Sequence, residues 1–241
     1  IQSEFDYPED VYYFNEFNTL TLSGKFAYEF EDEPSTTNYL EFDAENQMLS
    51  SWMREEITTG ENPKWQFDLQ YKKQFENNED HVLLMSAQGN FFGKEKFSDF
   101  INSYENVALQ DEEQISQTDF HRVNYTFKAD YTNPLSETFL LESGAAYTIN
   151  DVANEYAVEN LIDNLWEPDA NLSNNFMYDQ NVLGVYSTVS YESLKWGIKV
   201  GLRMENTDLN TYLENTDDRN SQNYTDFFPS FHATYKFTKG I

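Results

Sequence analysis

The chain has 241 residues, and its 15 Lys+Arg against 43 Asp+Glu give a formal charge of -28. That balance excludes nucleic-acid backbone binding, which needs a basic footprint, and no apolar run reaches the roughly 18 residues of a membrane-spanning helix. Cys is 0, which removes disulfide frameworks, thiolate zinc sites and cysteine nucleophiles together. The chain is 17% aromatic but only 39% hydrophobic, a profile of β-structure with long polar connections. It opens on Ile1 with no initiator Met, as expected of a mature or excised piece.

In chain order, residues 11–17 leave room for an extra strand. Leu20, Leu22, Phe26, Tyr28 and Phe30 then alternate with Thr21, Ser23, Lys25, Glu29 and Glu31. Successive side chains of a strand point to opposite faces, so this pattern predicts one apolar and one polar face. The stretch 38–57 alternates poorly and is predicted as one further strand. Trp65, Phe67, Leu69 and Tyr71 oppose Gln66, Asp68, Gln70 and Lys72, and a weaker strand covers about 81–94. Val123, Tyr125, Phe127, Ala129 and Tyr131 oppose Arg122, Asn124, Thr126, Lys128 and Asp130. Phe139, Leu141, Ala145, Tyr147 and Ile149 define the next strand, interrupted by Ser143, and 180–191 another. The cleanest run sets Leu194, Trp196, Ile198, Val200, Leu202 and Met204 against Lys195, Gly197, Lys199, Gly201, Arg203 and Glu205. Phe227, Phe231, Ala233, Tyr235 and Phe237 close the series, which totals about nine strands by this pattern.

Connections alternate strictly in length. Short ones at 75–80, 132–137 and 191–194 alternate with long polar segments at 95–118, 150–178 and 206–223. A β-sandwich has no reason to alternate so, whereas an outer-membrane barrel has short periplasmic turns and long extracellular loops. Within the long segments, Val158, Leu161, Ile162 and Leu165 recur at helical spacing, as do Phe100, Ile101 and Tyr104. These read either as a helical turn or as local packing of a loop cap.

Charge placement points the same way. Lys25, Lys72, Arg122, Lys128, Lys195, Lys199, Arg203 and Lys236 occupy polar-face slots with Asp68, Asp130, Glu142 and Glu205, while the opposite face of the clear strands holds no charge. Aromatics bracket the apolar face: Trp65 and Tyr71, Tyr125 and Tyr131, then Trp196, Tyr235 and Phe237 near short turns. Girdles flanking an apolar band roughly 25 Å tall have this form. The expected facing is Val123, Tyr125, Phe127, Ile198, Val200, Leu202, Phe231 and Ala233 to lipid, and Lys128, Lys199 and Arg203 to the lumen.

Catalytic motifs are missing. No Gly-rich phosphate loop, His-Glu-x-x-His or nucleophile elbow occurs. His81, His121 and His232 lie in separate strands and read as ordinary polar-face residues. Acidic pairs such as Glu55-Glu56 and Asp217-Asp218 read as solvated charge. Asp217-Asp218-Arg219-Asn220 lacks the Gly and terminal Glu of a calcium loop. Trp166 beside Pro168 fits either a stacking platform for a sugar or a pin for its own loop. No catalytic residue, metal site or cofactor is assigned, the substrate-binding residues stay unknown, and the chain is expected not to be an enzyme.

At 178–237 a resemblance enters. Tyr178-Asp179-Gln180-Asn181-Val182 and Val185-Tyr186-Ser187 lead through a short turn into Trp196-Gly197-Ile198. Gly201-Leu202-Arg203-Met204-Glu205 follows, then a polar loop, Phe227-Phe228-Pro229-Ser230 and Tyr235-Lys236-Phe237. This resembles the outer-membrane β-barrel region of TonB-dependent receptors of the Bacteroidetes type, as does Phe120 to Leu135 with its Asn133-Pro134 turn. The resemblance implies a barrel of about 22 strands plugged by an N-terminal domain, energised by the TonB complex and importing a scarce nutrient. The implied partners are outer-membrane lipid, the remaining barrel strands, a plug domain and the TonB complex, with no nucleic acid.

The expectation is therefore an all-β, antiparallel up-and-down barrel portion spanning 1–241, with long extracellular loops and no plug domain visible. It is expected to be incomplete, starting on the long-loop side and ending at a short turn, and to sit in the bacterial outer membrane. The alternative is a soluble acidic β-sandwich that binds carbohydrate through loop aromatics.

Overall fold

The computed structural model describes residues 2–75, 78–104 and 112–237. Ten strands form one antiparallel sheet in the order β1-β2-β3-β4-β5-β6-β8-β9-β10, with β7 paired to the far end of β6. They are β1 (Gln2–Asn15), β2 (Asn18–Phe42), β3 (Met48–Phe75), β4 (Asn78–Tyr104), β5 (Glu112–Pro134), β6 (Phe139–Ile162), β7 (Leu165–Pro168), β8 (Asn174–Glu192), β9 (Trp196–Leu213) and β10 (Asp218–Tyr235). Each strand on the main path pairs with its sequence neighbours, an up-and-down meander. In that order β1 and β10 are the two edges, and β1 starts at the end opposite to the one where β10 finishes.

The register confirms the two-faced reading. Val200 lies opposite Val189 and Phe231, Ile198 opposite Tyr191 and Ala233, and Phe127 opposite Ala87 and Tyr147. Lys199, opposite Ser190 and His232, belongs to the other face. So do Lys128 and Arg203. Among the described residues no second layer covers the apolar face: Val200 is 53% exposed, Leu202 51% and Phe231 67%. Burial is inverted relative to a globule. Among the described residues Val158 is the buried hydrophobic side chain, whereas Thr58, Asn62, Ser98, Asn102, Ser116 and Thr207 are buried polar ones, all on the polar face. Total accessible surface is 16877 Å², against about 11,000 Å² for a compact globule of this mass.

The strands are far longer than predicted. β3 has 28 residues and β4 has 27, whereas a tilted strand crosses a bilayer with about 9–11. The segments 95–118, 150–178 and 206–223 are therefore not loops along most of their length. They continue β4, β5, β6, β8, β9 and β10 past the apolar band. The stretch 38–57 is not one strand but the tip of the β2–β3 hairpin, turning at 43–47. The extra strand at 11–17 is real and begins earlier, as β1. The main path thus holds nine strands, one predicted strand being lost and one gained.

The helical spacing around Val158 and around Phe100 is accidental. Both sets lie in strands, and the only helical piece among the described residues is the 3₁₀ turn Glu214–Thr216. In β6 the chain bends through Asp163 (φ 51°) and Asn164 (φ 64°) into β7, a two-residue hairpin that needs left-handed backbone at both positions. Asp and Asn tolerate that region because their short polar side chains bond locally. At the other end the turns are short and pinned by side chains: Ser193 Oγ accepts a bond from Trp196 N at 3.1 Å, and Ser136 Oγ one from Phe139 N at 3.1 Å. Asn78 belongs to β4, and Asn77 of the predicted 75–80 turn lies outside the described residues.

All strands among the described residues lie in one sheet, so the sandwich alternative, which needs two packed sheets, is overturned.

Candidate functional site

The chemistry sits on the polar face. Near its middle, Lys199 pairs with Glu142, Arg203 with Glu205, and Lys128 with Asp130 at 3.2 Å. Tyr186 donates to Asp130 while its ring lies over Gly144. A Cβ on Gly144 would come within 2.5 Å of that ring, so the glycine is what lets the ring lie flat on the sheet. Phe228 and His232 of β10 face the same way, opposite Arg203 and Lys199.

Higher up, β2 to β5 carry a second charged group. One row across the sheet reads Ala27, Lys64, Phe92, Arg122. Lys64 Nζ is 2.9 Å from Glu29 and 5.4 Å from the centre of the Phe92 ring, and the Phe92 and Phe120 rings are 5.9 Å apart. Lys94 Nζ is 3.4 Å from Glu31, which also accepts from Asn62 Nδ2. Lys25 stands one row below, opposite Gln66, and Lys96 one position beyond Lys94, opposite Gly60. Arg122 is exposed and has no ion pair among the described residues.

Towards the strand tips a relay of hydrogen bonds crosses the wall. Arg54 lies 4.0 Å over the Phe100 ring and donates to Gln114 Oε1 at 3.0 Å. Gln114 Nε2 donates to Asn160 at 2.9 Å, and Asn160 Nδ2 to Asp169 Oδ2 at 3.0 Å. Asp169 also accepts the backbone N–H groups of Asn171 and Leu172. The Asn171 N–H first, then the Asn160 amide, hold its carboxyl below the usual range. That relay ties the β6–β8 connection to β3 and β5.

Several sequence readings change place. His81 and His121 lie on the apolar side of their strands, not the polar one. His81 stacks on Phe75 at 3.9 Å and bonds Tyr131 Oη at 2.8 Å, forming part of an aromatic girdle, and His121 sits opposite Gly93 and Ala153. Only His232 has the predicted facing. Trp166 is on β7 opposite Leu161, on the outward side and away from the polar face. Glu55 and Glu56 are consecutive in β3 and so face opposite ways, which prevents them from acting as a carboxylate pair. Asp217 takes a left-handed backbone (φ 51°) and receives Arg219 Nε at 3.3 Å.

Lys64, Lys94, Lys96 and Arg54 lie outside the runs of clear alternation. Their signal is the unbroken continuation of the same parity, Arg54-x-Glu56-x-Thr58-x-Gly60-x-Asn62-x-Lys64, through a stretch where the opposite face is no longer apolar.

A search of curated proteins finds no match to the chain. Among solved structures, the unliganded ferric citrate transporter FecA is 8% identical with a TM-score of 0.38, covering 99% of this chain and 42% of that one. The ferric yersiniabactin uptake receptor FyuA from Yersinia pestis is 9% identical, with a TM-score of 0.37 and coverages of 99% and 42%. The outer membrane protease OMPT from Escherichia coli is 10% identical, with a TM-score of 0.29 and coverages of 92% and 87%. The chain thus spans about two fifths of the first two proteins' lengths. A family model described as the outer membrane protein beta-barrel family matches residues 74–241. The exposed apolar band then faces lipid and the polar face the barrel interior, so the protein's place is the bacterial outer membrane. The chain belongs to the outer membrane protein beta-barrel family.

Proposed function

We propose that this chain is part of the barrel wall of a TonB-dependent receptor of the Bacteroidetes type, importing a nutrient across the outer membrane without catalysing a reaction. The observation that carries the reading is the sorting of charge by face. Lys25, Lys64, Lys94, Arg122, Lys128, Lys199 and Arg203 all stand on the polar face, beside a lipid-facing band without charge. A wall of this kind lines a water-filled or plugged interior. The Gly201-Leu202-Arg203-Met204-Glu205 strand followed by Phe227-Phe228-Pro229-Ser230 supports the receptor type. On this reading further strands pair with β1 and β10, a plug domain fills the interior, and the TonB complex supplies the energy.

The test is to purify the full receptor from native outer membranes and identify the co-purifying compound by mass spectrometry. Its uptake is then measured in cells with and without TonB. Uptake that requires both the receptor and TonB is expected. Uptake through the receptor that is unchanged in cells lacking TonB would overturn the assignment.

A further inference from the structure

We infer that the interior wall formed by β2 to β5 is a binding surface for a small solute carrying two or more acidic groups, on the reading just proposed that this face lines the pathway. From β3 to β5, over residues 60–66, 90–96 and 118–124, the polar face carries Lys64, Lys94, Lys96 and Arg122 and no acid; the acids lie on the β2 side, at Glu29 and Glu31, where Lys25 stands opposite Asp6 of β1. Such an excess is the reverse of the chain as a whole, with its net charge of -28. It is also the reverse of the outward side of the same sheet above the apolar band. There Glu55, Glu61, Glu95, Asp99, Asp119 and Asp151 project, and Arg219 is the one basic counterpart within the described strands.

Three of these cations, Lys25, Lys64 and Arg122, line a groove of about 420 Å³ together with Gln66, Asn90 and Phe92, within the size range of small-molecule sites. Lys64 and Arg122 flank Phe92 in a single row, each one strand away from it, so their backbones stand roughly 10 Å apart. Between them the ring offers a flat apolar face, with Phe120 edging it at 5.9 Å. Gln66 and Asn90 add side-chain amides to the groove. The combination suits a planar or short-chain anion with acidic groups at both ends and a hydroxyl or amide donor. A positive patch inside an otherwise negative rim focuses anions onto the wall and raises their local concentration by about tenfold or more.

The test uses the full receptor in cells with Asn90→Cys, which adds a thiol inside the groove and removes no charge. Labelling rates with anionic sulfonatoethyl and cationic trimethylammonioethyl methanethiosulfonate are each normalised to their rates with free 2-mercaptoethanol. Preference for the anionic reagent by about tenfold is expected, falling to near unity when Lys64→Gln and Arg122→Gln are added. Citrate or pyrophosphate should slow labelling several-fold, the one marking carboxylate and the other phosphate recognition, while raffinose should not. Ala129→Cys, in the middle of the lipid face, should react with neither charged reagent. Equal or cationic preference at Asn90→Cys would overturn the anion site while leaving the wall reading intact. So would no labelling by either reagent, because a protein surface then covers the patch. Labelling of Ala129→Cys as fast as Asn90→Cys would overturn the facing itself, and the proposal with it.

Discussion

Single side chains in this sheet are decided by parity. Val200 and Lys199 are neighbours in β9, yet one stands on the exposed apolar face and the other pairs with Glu142 across two strands. Slipping β9 by one residue would exchange those environments for every member of the strand at once. Val200→Arg is therefore expected to destabilise the assembled barrel by about 2–4 kcal/mol, the range for a cation at the bilayer midplane. Lys199→Ala keeps the lipid face and is expected to lose well under 1 kcal/mol, since a half-exposed ion pair contributes little. Reversible urea unfolding of the full-length protein in lipid vesicles checks both, and equal effects would contradict the facing. The histidines show how parity is missed when residue type alone guides the reading. His81 is polar, but stacked on Phe75 and bonded to Tyr131 it completes a girdle at the membrane boundary, where amphipathic rings have one apolar and one wet end.

At the level of elements, the hairpins are taller than the alternation suggests. The apolar stripe of β3 runs from Trp65 to Tyr71, yet the strand starts at Met48. Over that upper part both faces meet water or the barrel interior, so neither needs to be apolar and the period of two disappears from the sequence. Hydrogen bonding continues regardless: Thr58 and Ser98 bond across β3 and β4 at 2.6 Å, and the Arg54–Gln114–Asn160–Asp169 relay spans the wall. Paired backbone resists proteases, which need an extended, unpaired substrate. Protease added to intact cells should accordingly cut this chain at the tips 43–47, 163–173 and 214–217, and leave the paired flanks such as 95–104 and 206–213 intact. Cleavage spread evenly along those flanks would show that they are loops after all, and cleavage confined to the turns around 135–138 and 193–195 would reverse the topology.

As a whole molecule, the sheet is a wall with two edges, since β1 pairs only with β2 and β10 only with β9 among the described residues. Unpaired backbone in lipid costs several kcal/mol per group, so on the proposed reading both edges are completed by strands of the same receptor. Paired cysteines test this. In the full-length protein Ile198→Cys and Ala233→Cys, which are partners in the β9–β10 register, should form a disulfide on mild oxidation. Tyr12→Cys in β1 with Ala233→Cys should not. A bridge between β1 and β10 would show that these strands close on each other.

The sequence by itself determined the membrane-spanning core of this protein. Where lipid touches one face of a strand, every second residue must be apolar and the next is free to be charged, so the membrane-crossing parts of β5, β9 and β10 were legible residue by residue, as were the short turns at 132–137 and 191–194. Only the tertiary structure decided how far each strand continues and which charges gather. Above the band no lipid constrains either face, and Lys64, Lys94, Lys96 and Arg122 are scattered over some sixty positions of sequence. They become one surface because the register of β3 against β4 and β5 sets Lys64, Phe92 and Arg122 in a single row. That juxtaposition depends on hydrogen bonding between strands, which composition and periodicity do not encode.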